Sequence, residues 1–235
     1  VPELLYLVWE CPEFDGRQLS VQRFVDAEAA GDPIWTLTDV QRAEFFADFG
    51  RAVGWLHSFD LPEFSGWVDD RGETHATWAD AARPDAAIRA IRDQGSLVSA
   101  GVLTEAERRI ECGLAALPTV QPRLVHRDLH LDNTLIASGR FVGLIDFELV
   151  REWDFVWDFA NRLQGVFDCY EGCEDPFLAG YREIAGELPP SFALQHWLYT
   201  GIYEVLCIEE CLEGNQAYTK SHEDLRTWLD TPVPL

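Results

Sequence analysis

Two hydrophobic spacings alternate along the chain. Residues 4–9 form a short unbroken apolar run between Pro2 and Pro12, which predicts a buried strand giving way to an irregular segment over 10–17 with Asp15-Gly16 as its turn. Leu19-Ser20 then predicts a helix start. Thr38-x-x-Gln41 has the form of a capping box, and the periodic stretch behind it should turn Val40, Phe46, Val53 and Leu56 inward as far as His57. A second such box, Thr104-x-x-Glu107, predicts a helix that stops before Pro118, because a proline disfavours helical geometry in the residue before it. Residues 124–126, 134–137 and 141–145 read as short strands, the last two joined at Ser138-Gly139 as a tight hairpin. Beyond Asp158 the spacing is helical over 161–166, 177–184, 192–212 and 222–229, broken at clusters such as 186–190.

Composition narrows the function classes. With 235 residues, 47% of them hydrophobic, the chain can bury a core without disulfide staples, and no apolar stretch is long enough to cross a bilayer. The formal charge of −23, from 18 basic against 41 acidic residues, repels nucleic acid and anionic lipid and favours a cationic small molecule as partner. Cys169/Cys173 and Cys207/Cys211 are spaced for one helical face; without a Cys-x-x-Cys knuckle they read as small buried thiols in a reducing, cytoplasmic compartment rather than as metal ligands. The chain starts at Val1 and contains no Met, so the expectation is that Val1 is not the natural amino terminus.

The chemistry concentrates in His126-Arg127-Asp128-Leu129-His130-Leu131-Asp132-Asn133, followed across the hairpin by Ile145-Asp146-Phe147-Glu148. Phosphoryl transfer needs one carboxylate to orient and deprotonate an acceptor hydroxyl, and hard oxygen ligands to hold Mg²⁺ against phosphates. Asp128 suits the first task, Asn133 and Asp146 the second. His130 and Asp132 flank the base, and Glu209, Glu210 and Glu213 crowd the end of a late helix; all five are candidate substrate contacts, although a solvated helix face explains the glutamates as well.

This compound pattern resembles the aminoglycoside phosphotransferase family of protein-kinase-like small-molecule kinases, whose loop reads His-x-Asp-x-x-x-x-Asn with an Asp on the neighbouring hairpin. The helix end Phe49-Gly50-Arg51-Ala52-Val53-Gly54-Trp55-Leu56-His57 looks like the family's small-residue helix closing in Leu-His, Asp158-Phe159-Ala160 like its Asp-Leu-Ala element, and residues 7–11 like its hinge. Protein kinases fit less well: His130 stands where serine/threonine kinases carry Lys, Glu148 replaces the Gly of Asp-Phe-Gly, and Asp146 to Asp158 leaves no room for an activation loop.

The resemblance implies an α+β, kinase-like fold, with residues 1–17 as the end of an amino-terminal lobe and hinge and 18–235 as a mostly helical catalytic lobe with small β-hairpins. It implies ATP or GTP as co-substrate with Mg²⁺, purine binding at the backbone of Glu10 and Cys11, and His126 and Asp158 as braces of the catalytic loop. An aminoglycoside-type antibiotic is the first expectation for the acceptor, with a metabolite kinase of homoserine, choline or fructosamine type, or a catalytically silent binding protein, as alternatives. No Gly-rich loop precedes the hinge and Lys220 is the only lysine, so the expectation is that the phosphate-binding lobe either lies upstream of these residues or has been lost.

Overall fold

The computed structural model describes residues 2–12, 15, 17–66, 74–94, 98–212 and 218–234, with the main chain alone at 9–11, 17–18, 212 and 218–220. In chain order the elements are β1 (Leu4–Cys11), β2 (Arg17–Gln22), β3 (Glu28–Ala29), α1 (Asp39–Leu56), β4 (Phe64–Ser65), β5 (Thr74–His75), α2 (Trp78–Ala81), α3 (Asp85–Gln94), α4 (Ala100–Ala116), β6 (Arg123–Val125), β7 (Thr134–Ala137), β8 (Arg140–Leu144), β9 (Arg151–Trp153), α5 (Val156–Ala160), α6 (Arg162–Cys169), α7 (Glu174–Ala185), α8 (Phe192–Leu212) and α9 (Tyr218–Asp230). They form two compact units: Val1–Trp55, Leu129–Glu148 and Val166–Gly186 in the first, Leu56–Asp128, Leu149–Gly165 and Glu187–Leu235 in the second. Among the described residues no helix is long and apolar enough to cross a membrane.

In the first unit β1 and β2 pair antiparallel, and β3, β7 and β8 make a three-stranded sheet in that order. Leu19 and Ser20 lie inside β2, opposite Val8 and Leu7, so the expected helix start is a strand: pairing with the apolar run of β1 outweighs the local start signal. Ser138 and Gly139 both have positive φ (51° and 75°), the conformation a two-residue hairpin turn needs to match strand twist. The Thr38–Gln41 capping box forms as read, with Gln41 N donating to Thr38 Oγ1 at 3.3 Å and Thr38 N to Gln41 Oε1 at 3.1 Å. Phe46 and Val53 are buried, but Val40 is 69% exposed. Six residues at 100° each put Val40 about 240° round the helix from Phe46, whereas Val53, seven on, returns to the same face. The buried face of α1 lies against α7, where Phe49 meets Phe177 edge-on at 5.1 Å and Arg51 pairs with both oxygens of Glu183 at 2.6 and 3.0 Å. Glycine permits this approach: a Cβ on Gly50 would stand 2.0 Å from the Phe177 carbonyl oxygen, and one on Gly180 equally close to that of Ala47.

The second unit is built on an aromatic core in which Trp78, Trp153, Trp157 and Tyr199 pack with Ile202, Val205 and Ile208 of α8 and Leu225 and Trp228 of α9. Trp228 fits because residue 201 is Gly; a Cβ there would lie 2.2 Å from its ring. Helix α4 does not begin at Thr104. Its N-cap is Ser99, whose hydroxyl accepts from Val102 N, and the buried series Leu103, Ala106, Ile110, Leu114 continues the phase set there. It ends at Ala116, ahead of Pro118 as expected. The pattern predicts neither the helices α2, α3 and α5 nor the short strands β3, β4, β5 and β9.

Candidate active site

Strand β6 delivers the loop. It pairs antiparallel with β9, Val125 opposite Arg151, and the chain leaves the ladder at His126. Two main-chain N–H groups lose their strand partners there, and buried donors need replacements. Asp158, fully buried on α5, supplies them: its carboxylate accepts from His126 N at 2.9 Å and Arg127 N at 2.7 Å. The same carboxylate meets Nε2 of His57 at 2.9 Å, an atom just past the carboxy end of α1. These charge-assisted bonds hold Arg127 at φ 73°, a left-handed conformation that a bulky residue adopts only when its surroundings impose it. The guanidinium of Arg127 stacks over the Trp153 ring, 4.1 Å from its centroid, and burial, with Arg151 nearby, pulls its pKa down to about 10.

Asp128 follows this pinned pair, its carboxylate about a quarter exposed and Oδ1 3.3 Å from Nε of Arg162. His126 is completely buried. Behind the loop, the buried Asp154 carboxylate accepts from Tyr199 Oη and Gln195 Nε2, each at 2.5 Å, and from Val156 N at 3.1 Å, fixing β9 and α5 to α8. Burial holds the Asp154 carboxyl above its ordinary range against these donors, and pushes the Tyr199 phenol well above its own.

In the first unit, Leu131–Asn133 forms a single 3₁₀ turn. Its first N–H groups are capped by His130, with Asp132 N on Nδ1 at 3.3 Å and Asn133 N on the main-chain carbonyl at 3.0 Å. Thr134 pairs with Leu144, and Ile145 N donates to the Asn133 carbonyl at 3.0 Å, so Asn133 and Asp146 lie at the same end of the β7–β8 hairpin. Asn133 is 7% exposed; Asp146 is exposed and has φ 64°. Asp132 packs against Gly31, where a Cβ would stand 2.3 Å from its Oδ1. The amide and the carboxylate are hard oxygen donors of the kind Mg²⁺ takes, and the donor set fits that ion. Among the described residues no group of three or more His, Cys, Asp or Glu side chains could hold a metal.

The main chain of Glu10 and Cys11 ends β1, across an irregularity in its pairing with β2; their side chains lie outside the described residues, as does Glu213. Glu209 is half-buried and Glu210 exposed near the end of α8. Cys169, Cys173, Cys207 and Cys211 are thiols, and burial pushes Cys173 and Cys207 up to about 12. Three contributors were missed from the sequence: the His57 bond to Asp158, the Arg162 contact with Asp128, and the Asp154–Gln195–Tyr199 network.

The mixed α/β architecture, with its small antiparallel sheets, is of the protein-kinase-like type. The phosphotransferase enzyme family model (APH) matches residues 1–194; the chain belongs to that family and is an enzyme that moves a phosphoryl group to an alcohol acceptor. Among solved structures, a thermostable mutant of aminoglycoside phosphotransferase APH(4)-Ia in ternary complex with ADP and hygromycin B superposes with a TM-score of 0.68 at 14% identity, covering 100% of this chain and 78% of that one. Aminoglycoside 2'-phosphotransferase-IIIa in its GDP complex gives 0.65 at 18% identity over 97% and 75% of the two chains. A choline/ethanolamine kinase family protein from Mesorhizobium loti gives 0.64 at 16% identity over 98% and 74%. At these identities the likeness establishes the fold. No curated protein matches the sequence.

Proposed function

We propose that this enzyme transfers the γ-phosphate of ATP or GTP, with Mg²⁺, to a hydroxyl of a cationic small molecule in the cytoplasm, an aminoglycoside-type antibiotic first among the candidates. The observation that carries the reading is the grip of Asp158 on the main chain of His126 and Arg127, which fixes the residue before Asp128 in an imposed conformation. Such pre-organisation suits a group that must present one carboxylate to a hydroxyl and has little use in a solvated loop.

Asp128 is the base: it hydrogen-bonds the acceptor hydroxyl, and takes its proton as the oxygen bonds to the γ-phosphorus and the bridging oxygen of the nucleoside diphosphate departs. Asn133 and Asp146 hold the ion, which when bound neutralises charge on the phosphates. The backbone of Glu10 and Cys11 receives the purine, at the end of residues 1–17 as a nucleotide-lobe edge and hinge, with 18–235 as the catalytic lobe. His126 and Asp158 support the loop; His130, Asp132, Glu209, Glu210 and Glu213 are the acceptor-side candidates, and the charge of −23 favours a cationic acceptor. The choline/ethanolamine kinase likeness keeps amino alcohols as the second substrate class.

The test is a phosphotransfer screen of the full-length protein across aminoglycosides, macrolides and amino alcohols with ATP and GTP, repeated with Asp128→Asn. Transfer should vanish while nucleotide binding persists, because the base acts on the acceptor and not on the purine. Turnover retained by Asp128→Asn refutes the assignment, and no transfer to any acceptor favours a silent binding protein.

A further inference from the structure

Residues 158–162 grip the catalytic loop twice. Asp158, on α5, holds its main chain through His126 N and Arg127 N; Arg162, the first residue of α6, reaches the next residue's side chain, with Nε 3.3 Å from Asp128 Oδ1. In a continuous helix residues four apart stack on one face. Here the helix breaks between them at Asn161, whose φ of −126° and ψ of −109° end α5, and whose Oδ1 accepts from Arg162 N at 2.5 Å. Asn161, immediately before it, is 7% exposed, while Arg162 itself is exposed, its side chain to more than half. Tyr203 and Cys207 of α8 lie within the field of that guanidinium. An exposed ion pair of this kind does little for stability, so folding gives no account of the guanidinium's place beside the Asp128 carboxylate.

We infer that Arg162 is a positioning residue for the transfer reaction: it orients the Asp128 carboxylate, while Asp158 orients the main chain beneath it. The inference rests on Asp128 being the base. A planar guanidinium, with its donors in a rigid fork, sets the direction of the carboxylate more closely than a mobile ammonium would. Arg162 acts through Asp128 rather than on the acceptor, so its loss should appear in kcat and not in substrate affinity.

The experiment uses the full-length protein, with the best acceptor from the screen and with MgATP hydrolysis to water as an acceptor-free control. Arg162→Ala should lower kcat roughly 10- to 100-fold, the scale expected of a misplaced catalytic group, with both KM values and the melting temperature close to wild type. Arg162→Lys, or millimolar guanidinium chloride added to Arg162→Ala, should restore part of the loss. On an Asp128→Asn background Arg162→Ala should have no further effect. A rise in acceptor KM with kcat intact would make Arg162 a substrate contact, and a loss that neither Lys nor guanidinium restores would make it a structural one; either overturns the inference. If Asp128→Asn keeps its turnover, the base assignment fails and this inference with it. If Asp128→Asn is inactive but Arg162→Ala runs at the wild-type rate, only this inference fails.

Discussion

His57 and Asp158, 101 positions apart, meet at 2.9 Å in the buried floor of the loop that leads to Asp128. The histidine completes a carboxylate that already accepts two main-chain N–H bonds, so each partner depends on the others. Replacing His57 with Ala leaves one carboxylate oxygen with one donor fewer in a buried site, which should cost about 1–3 kcal/mol. Asp158→Ala should cost more, because both the His126 and Arg127 N–H groups and the His57 ring lose their acceptor. Chemical denaturation ranks the two variants, and kcat should fall further in Asp158→Ala than in His57→Ala. Equal stability of Asp158→Ala and wild type would remove the brace from the account.

What could be read in the sequence was local. The run from His126 to Asn133 and the Ser138-Gly139 hairpin are compact, and backbone geometry turns such spacings directly into structure. The bond between His57 and Asp158 depends on tertiary packing, which no window of the sequence contains. Leu19-Ser20 misled because its strand exists through pairing with β1, and Thr104 because Ser99 is the better-placed cap five residues earlier. Val40 misled through phase alone, a hydrophobic residue in the first turn of α1 on the wrong side.

The crossing of α1 and α7 makes a separate prediction. A Cβ at Gly50 would meet a main-chain carbonyl at 2.0 Å, and main chain cannot rotate aside as a side chain can. Gly50→Ala should therefore destabilise the protein by about 1–3 kcal/mol or more. At Gly101, in α4, a methyl group would find nothing within 4 Å, so Gly101→Ala should stabilise by roughly 0.5–1 kcal/mol. Paired melts of the two variants read opposite signs if the close approach is real.

The proposed function gives Asp146 to the metal, and its backbone sets the choice of variant. Its φ of 64° is tolerated better by Asp and Asn than by Ala, so Asp146→Asn removes the charge with the least strain. Calorimetric titration of ATP into this variant should show most of the Mg²⁺-dependent heat lost, with melting temperature nearly unchanged. Undiminished Mg²⁺-dependent binding would remove Asp146 from the ion's ligands.

Asp154 predicts a pH dependence of stability. Burial raises its carboxyl above the ordinary range, so between the unfolded value, about 3.9, and the raised native value the folded state binds the extra proton. The sign follows: the stabilisation is fully present below the unfolded value and is lost as pH rises to the native one, with a slope of at most about 1.4 kcal/mol per pH unit. Asp154→Asn has no such proton to lose. It keeps an oxygen for Tyr199 and Gln195 but not a second one for Val156 N, so it carries a constant penalty. Denaturation series from pH 4 to 8 should therefore show the variant gaining on wild type as pH rises and then running parallel to it. A constant difference across the whole range would mean that Asp154 is ionised in the folded protein throughout, held by its three donors against its burial.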